Sequence, residues 1–219
     1  MKLAARSFLF RLVLTIAALA LWFWTQGLLG SRAPRGTGIG DALHIFTSNW
    51  NSYLHLHPGA ANALLIVSSA LIDAFGFFLL LKWLFGKSVR PFLGLVLLLM
   101  LRQAMQALCA LPPPQGMIWH YPGVPSALVT YSVASDFFFS GHTSIAVFGA
   151  TEIARLRKPW LTAAAIFVVV FEMAAVIVLR AHYTMDVFTG LIAALWVAAI
   201  VERLSIPVDR LLSGPIATK

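Results

Sequence analysis

Charge is scarce in this sequence. Only 11% of its 219 residues are Asp, Glu, Lys or Arg, while 60% are hydrophobic. A soluble domain averages about a quarter charged residues. So little charge cannot cover a water-facing surface, which excludes an ordinary soluble domain. Acidic residues are the scarcer sign, 8 against 16 basic ones, for a net charge of +8. In a soluble protein that imbalance points to nucleic acid. Here the basic residues form short clusters between apolar runs, and no basic stripe is interleaved with stacking aromatics. The pattern excludes nucleic acid as a partner and points to a membrane surface. Cysteine is nearly absent. Cys109 stands alone, so no intrachain disulfide forms and no zinc-ligand spacing exists. Lying in an apolar run, it reads as a small packing residue.

What is abundant is long apolar sequence. A membrane helix needs about 20 such residues, and six candidates appear: 8–28, 61–83, 91–111, 141–156, 159–180 and 183–203. The expectation is an all-α, polytopic protein: one six-helix membrane domain over residues 1–219, without internal repeats. The fourth segment is short, so it either tilts or is extended by the preceding Phe137–Phe139. Lys2 and Arg6 imitate the start of a signal peptide. The apolar stretch is longer than a signal's core, however, and no clear small-x-small site follows, so the segment is expected to stay as a membrane helix.

Six crossings put both termini on one side, together with twelve of the sixteen basic residues. Arg32, Arg35 and Arg180 fall on the other side, and Arg102 lies within a span. The positive-inside rule makes both termini cytoplasmic. Loops 29–60 and 112–140 and the turn near 181 then face outward. In the first loop Asp41 is placed to cap a short helix lying in the interface. His44, His55 and His57 show no third-ligand geometry and read as interfacial loop histidines rather than metal ligands. The second loop has no Lys or Arg and many rigid or aromatic residues, and a loop of that length is usually functional.

Two segments carry chemistry, 135–144 (SDFFFSGHTS) and 180–187 (RAHYTMDV). His182 and Asp186 are four residues apart, which puts them on one helix face. A carboxylate there accepts the proton of one imidazole nitrogen and leaves the other free to attack phosphorus. In the first segment, Ser140-Gly141-His142 opens the fourth span. Gly141 admits close approach to the backbone, and the free N–H groups of the helix start favour a phosphate. His142 is then the candidate general acid, with Asp136 placed to orient it. Ser140, Thr143 and Ser144 offer hydroxyl donors. Both segments fall at the outward ends of their spans, although no histidine or serine entered the topology argument. No metal or other cofactor is required by this scheme.

Asp73, Arg102 and Glu172 lie inside spans, where charge is expensive and usually paired. Two readings of Arg102 stay open: a structural pair with Asp73 or Glu172, or a reach toward a lipid phosphate. Glu172, ten residues before His182, is a candidate support for it.

On these residues the chain resembles the sphingomyelin synthase-like branch of the type 2 phosphatidic acid phosphatase superfamily, which includes plant phosphatidylcholine:diacylglycerol cholinephosphotransferases. The matching elements are Arg102 through Leu111-Pro112-Pro113-Pro114, Asp136 with Ser140–Thr143, and His182–Val187. The resemblance covers the third to the sixth span. It implies a six-span fold with its site on the outer face, His182 as nucleophile, Asp186 as its partner, His142 as acid/base and Asp136 as a supporting carboxylate. Hydrolytic members carry Lys-x6-Arg-Pro and an arginine six residues before the second histidine. Here Lys82 and Arg90-Pro91 have seven residues between them, and Val176 stands at the second position. These departures favour the transferase branch and leave the phosphate clamp to Arg102 or Arg180. The candidate substrate contacts are Arg102, Ser140, Gly141, Thr143, Arg180 and Tyr183.

The expectation is a phosphotransferase moving a phosphocholine-type headgroup between lipids such as a phospholipid and diacylglycerol, with Trp119, Tyr121 and Tyr131 as either a choline site or an interfacial belt. A lipid phosphate phosphatase and a non-catalytic transporter or scramblase are the alternatives. The sequence leaves oligomerisation open.

Overall fold

A computed structural model describes residues 2–31, 39–132 and 137–213. The described elements are all helical: α1 (Lys2–Gly30), α2 (Ala42–Phe46), α3 (Ser48–Leu56), α4 (Pro58–Phe85), α5 (Arg90–Leu108), α6 (Gly141–Ala154), α7 (Pro159–Val178) and α8 (Thr184–Ser213). Prolines sit in the first turns of α4, α5 and α7, where a missing N–H costs nothing. Five helices (α1, α4, α5, α7 and α8) are long and apolar enough to cross a membrane. The protein is an integral membrane protein whose outward faces are apolar, as Phe167 and Val170 on α7 and Phe188 and Trp196 on α8 illustrate.

The fourth expected span, α6, has only 14 residues. Phe137–Phe139 do not extend it, since they lie outside any helix. Over most of its length α6 is enclosed by protein. It packs against α4, α5, α7 and α8, and His142 through Gly149 are all buried. Glycines let neighbouring rings in at the crossings. A Cβ on Gly149 would strike Phe75, and one on Gly94 would strike Phe148. Close approach at small residues is how membrane helices gain packing energy, because lipid is as apolar as their side chains.

Contacts sort the helix ends into two groups. At one end Arg11 donates to the carbonyls of Trp83 and Gly86, Lys82 and Arg90 pair with Glu152, and Ser88 bonds Asp209. At the other end lie the start of α6, the start of α8 and the two long connections. The connection between α5 and α6 does not simply ride over the surface. Its residues 126–128 reach Asp73, sixteenth residue of α4, roughly 22 Å along the helix from its start. Both Asp73 oxygens accept from the Ser126 hydroxyl, at 2.9 and 3.0 Å, and from the Ala127 and Leu128 N–H groups at 2.9 Å each. Non-helical backbone at such depth persists only where protein satisfies its polar groups, and Asp73 does this. Leu128 fills the space left by Gly76.

Asp73 therefore does not serve Arg102. Glu172 does not either: its carboxylate accepts from Ser68 at 2.6 Å. No ion pair joins Arg102 to either carboxylate, so the expected pairing of Arg102 with Asp73 or Glu172 is corrected. Glu172 makes no described contact with His182.

Candidate active site

The start of α6 and the start of α8 are tied backbone to backbone: Ser140 N–H donates to the Asp186 carbonyl at 3.0 Å. Gly190 permits this approach, since a Cβ there would come within 2.8 Å of the Ser140 carbonyl oxygen. Ser140 caps α6 by accepting from Thr143 N–H at 3.3 Å. Asp186 is third in α8 and accepts from Tyr183 N–H at 2.9 Å, the reciprocal half of a capping box. The same Asp186 oxygen lies 3.6 Å from His182 Nδ1. That is ion-pair distance and longer than a hydrogen bond. The other oxygen of Asp186 and His182 Nδ1 have no hydrogen-bond partner among the described residues.

His142 and His182, each 7% exposed, line one cavity of about 50 Å³ together with Arg102, Gly141 and Trp119. His142 Nε2 is buried without a hydrogen-bond partner among the described residues. The Arg102 guanidinium is held beside the α6 start: Nε donates to the Phe139 carbonyl at 2.9 Å, and Nη1 donates to the Gln26 side-chain oxygen at 3.0 Å. A Cβ at Gly141 would stand 3.2 Å from Arg102 Nε, so this glycine makes room for the cation. A fixed positive charge and a helix N-terminus thus share the cavity with two imidazoles. That combination suits a phosphate.

The other expected contacts are placed differently. Thr143 and Ser140 are fully buried and do not line the cavity. Tyr183 donates from its hydroxyl to the Pro112 carbonyl at 3.1 Å. Arg180 donates to the carbonyls of Gln115 at 2.6 Å and His44 at 3.1 Å, which makes it a brace between α2 and the α5–α6 connection. Asp136 lies outside the described residues.

The family model AtPDCT1/2 matches residues 40–203, well over half of the chain. The chain belongs to the AtPDCT1/2 family. The family is one of phosphatidylcholine:diacylglycerol cholinephosphotransferases, enzymes acting on membrane lipids. No match was found among curated proteins or among solved structures. The residues matched to AtPDCT1/2 include both histidines, Asp186 and Arg102, whereas α1, with Trp22 and Gln26, precedes them.

Two residues have a role toward the His182 segment that the sequence did not disclose. His44 is buried, its Nε2 lies 2.9 Å from the His182 carbonyl, and its ring stacks on Tyr183 at 5.8 Å. Asp41 caps α2 as expected, accepting from Leu43 and His44 N–H. It also accepts from the N–H and the hydroxyl of Thr184, both at 2.6 Å, at the first residue of α8. Together they clamp the segment that carries His182. Burial pushes the Asp41 carboxyl upward, but the Thr184 bonds, the His44 N–H and the His44 ring outweigh it, so its pKa ends below the usual aspartate value. The partners stand 138 and 143 residues away, beyond any local spacing rule; only a polar pair flanking a short helix start hinted at them. Among the described residues no three His, Cys, Asp or Glu side chains group as metal ligands.

Lys82 and Arg90 occupy the far end of α6, on Glu152. Glu152 lies ten residues beyond His142, roughly 15 Å along the axis. These cations do not reach the cavity, consistent with their broken spacing.

Proposed function

We propose that this protein transfers phosphocholine between glycerolipids by a two-step displacement at His182, as a sphingomyelin synthase-like member of the type 2 phosphatidic acid phosphatase superfamily. The free nitrogen of His182 attacks the phosphorus of phosphatidylcholine. The bond from phosphorus to the glycerol oxygen breaks, and His142 gives that oxygen its proton, so diacylglycerol leaves. Phosphocholine is then held on His182. The hydroxyl of a second diacylglycerol attacks phosphorus, His142 takes the hydroxyl proton, and the nitrogen–phosphorus bond breaks. Asp186 balances the charge on the His182 ring, and contacts of this kind shorten as that charge develops. Arg102 and the α6 start stabilise the phosphoryl oxygens. Ser140, Thr143, Tyr183 and Arg180 position these groups, and Asp136 supports His142.

The observation carrying this reading is that His142, His182 and Arg102 line one small cavity. Headgroup choice is supported by aromatics beside it. The Trp119 ring stands edge-on to His142 at 5.3 Å, with Tyr131 5.3 Å from Trp119 and Tyr121 6.1 Å from Tyr131. Three such rings suit a quaternary ammonium by cation–π attraction. By the positive-inside rule, the chain crosses the membrane six times with both termini cytoplasmic and the cavity on the other side.

The test is a panel of headgroup-labelled phospholipids and acceptor alcohols given to purified wild-type, His142→Ala and His182→Ala protein. Label is expected to move from phosphatidylcholine to diacylglycerol in wild type only. Inorganic phosphate released from phosphatidic acid without headgroup exchange would make the protein a phosphatase. Lipid movement with no chemical change would make it a scramblase. Identical products from all three proteins would overturn the site.

A further inference from the structure

A groove of about 280 Å³ runs between α1 and α5. Thr15, Ala18, Leu19, Trp22 and Thr25 form its α1 wall, at helical spacing along roughly 15 Å. The α5 wall runs from Phe92 to Gln103. The two threonines do not make the groove polar, because their hydroxyls are turned to the backbone of their own helix. Leu21 and Met100 at its lip are largely exposed, so the groove opens to the side, where lipid surrounds the protein.

The groove is continuous with the candidate active site: Trp22 and Leu99 line both spaces. At that junction two buried polar atoms lack hydrogen-bond partners among the described residues, Trp22 Nε1 and the Gln103 side-chain oxygen. Trp22 is 8% exposed. An indole N–H only donates, whereas an amide oxygen accepts. Buried groups of this kind are normally satisfied, and nothing in an apolar groove would satisfy them except a ligand with a polar end. An amphiphile meets both demands, with a hydrocarbon tail along the groove and a carbonyl or hydroxyl at its top.

We propose that this groove is the acyl-chain subsite of the glycerolipid substrate, with Trp22 donating to an ester carbonyl. The proposal rests on the phosphotransferase reading, since it seats the glycerol oxygen beside His142. It gives α1 a substrate-binding role, although α1 lies outside the residues matched to the family.

The experiment is photolabelling of the purified full chain in detergent micelles. The probe is a phosphatidylcholine carrying a diazirine on one acyl chain, and labelled residues are mapped by mass spectrometry. Label is expected on residues 15–25 and 92–103, and unlabelled phosphatidylcholine is expected to displace it. Ala18→Trp fills part of the groove with an indole ring, so displaceable label on residues 15–25 and 92–103 falls relative to wild type. Label confined to lipid-facing positions such as Phe167 or Phe188, or label at the groove that excess lipid does not displace, overturns the proposal. The wild-type map alone decides this if the variant fails to fold. His182→Ala protein is expected to label as wild type does while giving no turnover, so failure of the chemistry and failure of the groove give different results.

Discussion

Removing the Asp73 carboxylate should unseat the loop that roofs the cavity. Asp73 receives the Ser126 hydroxyl and the N–H groups of Ala127 and Leu128, and the next residues, 128–130, line the space with both histidines. Bonds to a charged acceptor contribute about 1.5–3 kcal/mol each when buried. Here the Ala127 bond is exposed and the other two are half-buried, so the sum is about 2–4 kcal/mol. Asp73→Ala removes all of it, while Asp73→Asn keeps one accepting oxygen and about half. Each 1.4 kcal/mol lowers the ratio of seated to unseated loop about tenfold. The assay is headgroup exchange between labelled phosphatidylcholine and diacylglycerol, run beside limited proteolysis. Activity should fall in the order wild type, Asp73→Asn, Asp73→Ala, with new cleavage between 112 and 132. Wild-type activity and an unchanged digest in Asp73→Ala would refute the reasoning.

Further outcomes follow from the same contacts. Asp41 has a lowered pKa, so its stabilisation is full above the ordinary aspartate value of about 3.9 and is lost as pH falls through the lowered one. Thermal unfolding of wild type and Asp41→Asn should therefore differ at pH 7 and converge in acid; a gap that persists or widens in acid would contradict the clamp. Gly141→Ala presses on Arg102 Nε, 3.2 Å from the new methyl carbon, and should raise the KM for phosphatidylcholine more than it lowers thermal stability. Arg90→Gln weakens the buried Glu152 network that Lys82 shares and should cost about 1–3 kcal/mol in unfolding measurements. It should leave that KM unchanged, whereas Arg102→Gln should raise it about tenfold or more.

Much of this architecture was legible in the sequence because membrane helices and helix starts leave local marks. Apolar runs marked the long helices, and Ser140-Gly141-His142 and His182–Asp186 marked the two helix starts that meet. Asp41 announced its cap through position alone. What stayed hidden depends on partners distant in the chain. Asp73 looked like a counter-ion for Arg102 because charge inside a span suggests an ion pair, yet it receives backbone N–H groups from a loop more than fifty residues on. α6 was expected as a short span that tilts or borrows Phe137–Phe139, and hydropathy does not reveal that other helices enclose it. His44 resembled any loop histidine until the chain brought it within 2.9 Å of the His182 carbonyl, and nothing in the apolar run of α1 marked Trp22 or Gln26.

Trapping the intermediate tests the central chemistry most directly. Purified protein is given choline-labelled phosphatidylcholine without added diacylglycerol, quenched at alkaline pH, digested and mapped by mass spectrometry. Phosphocholine should be found on His182, should be absent from His182→Ala, and should leave on addition of diacylglycerol. Headgroup exchange at the wild-type rate in His182→Ala, or a phosphocholine adduct on any other residue, would contradict the account.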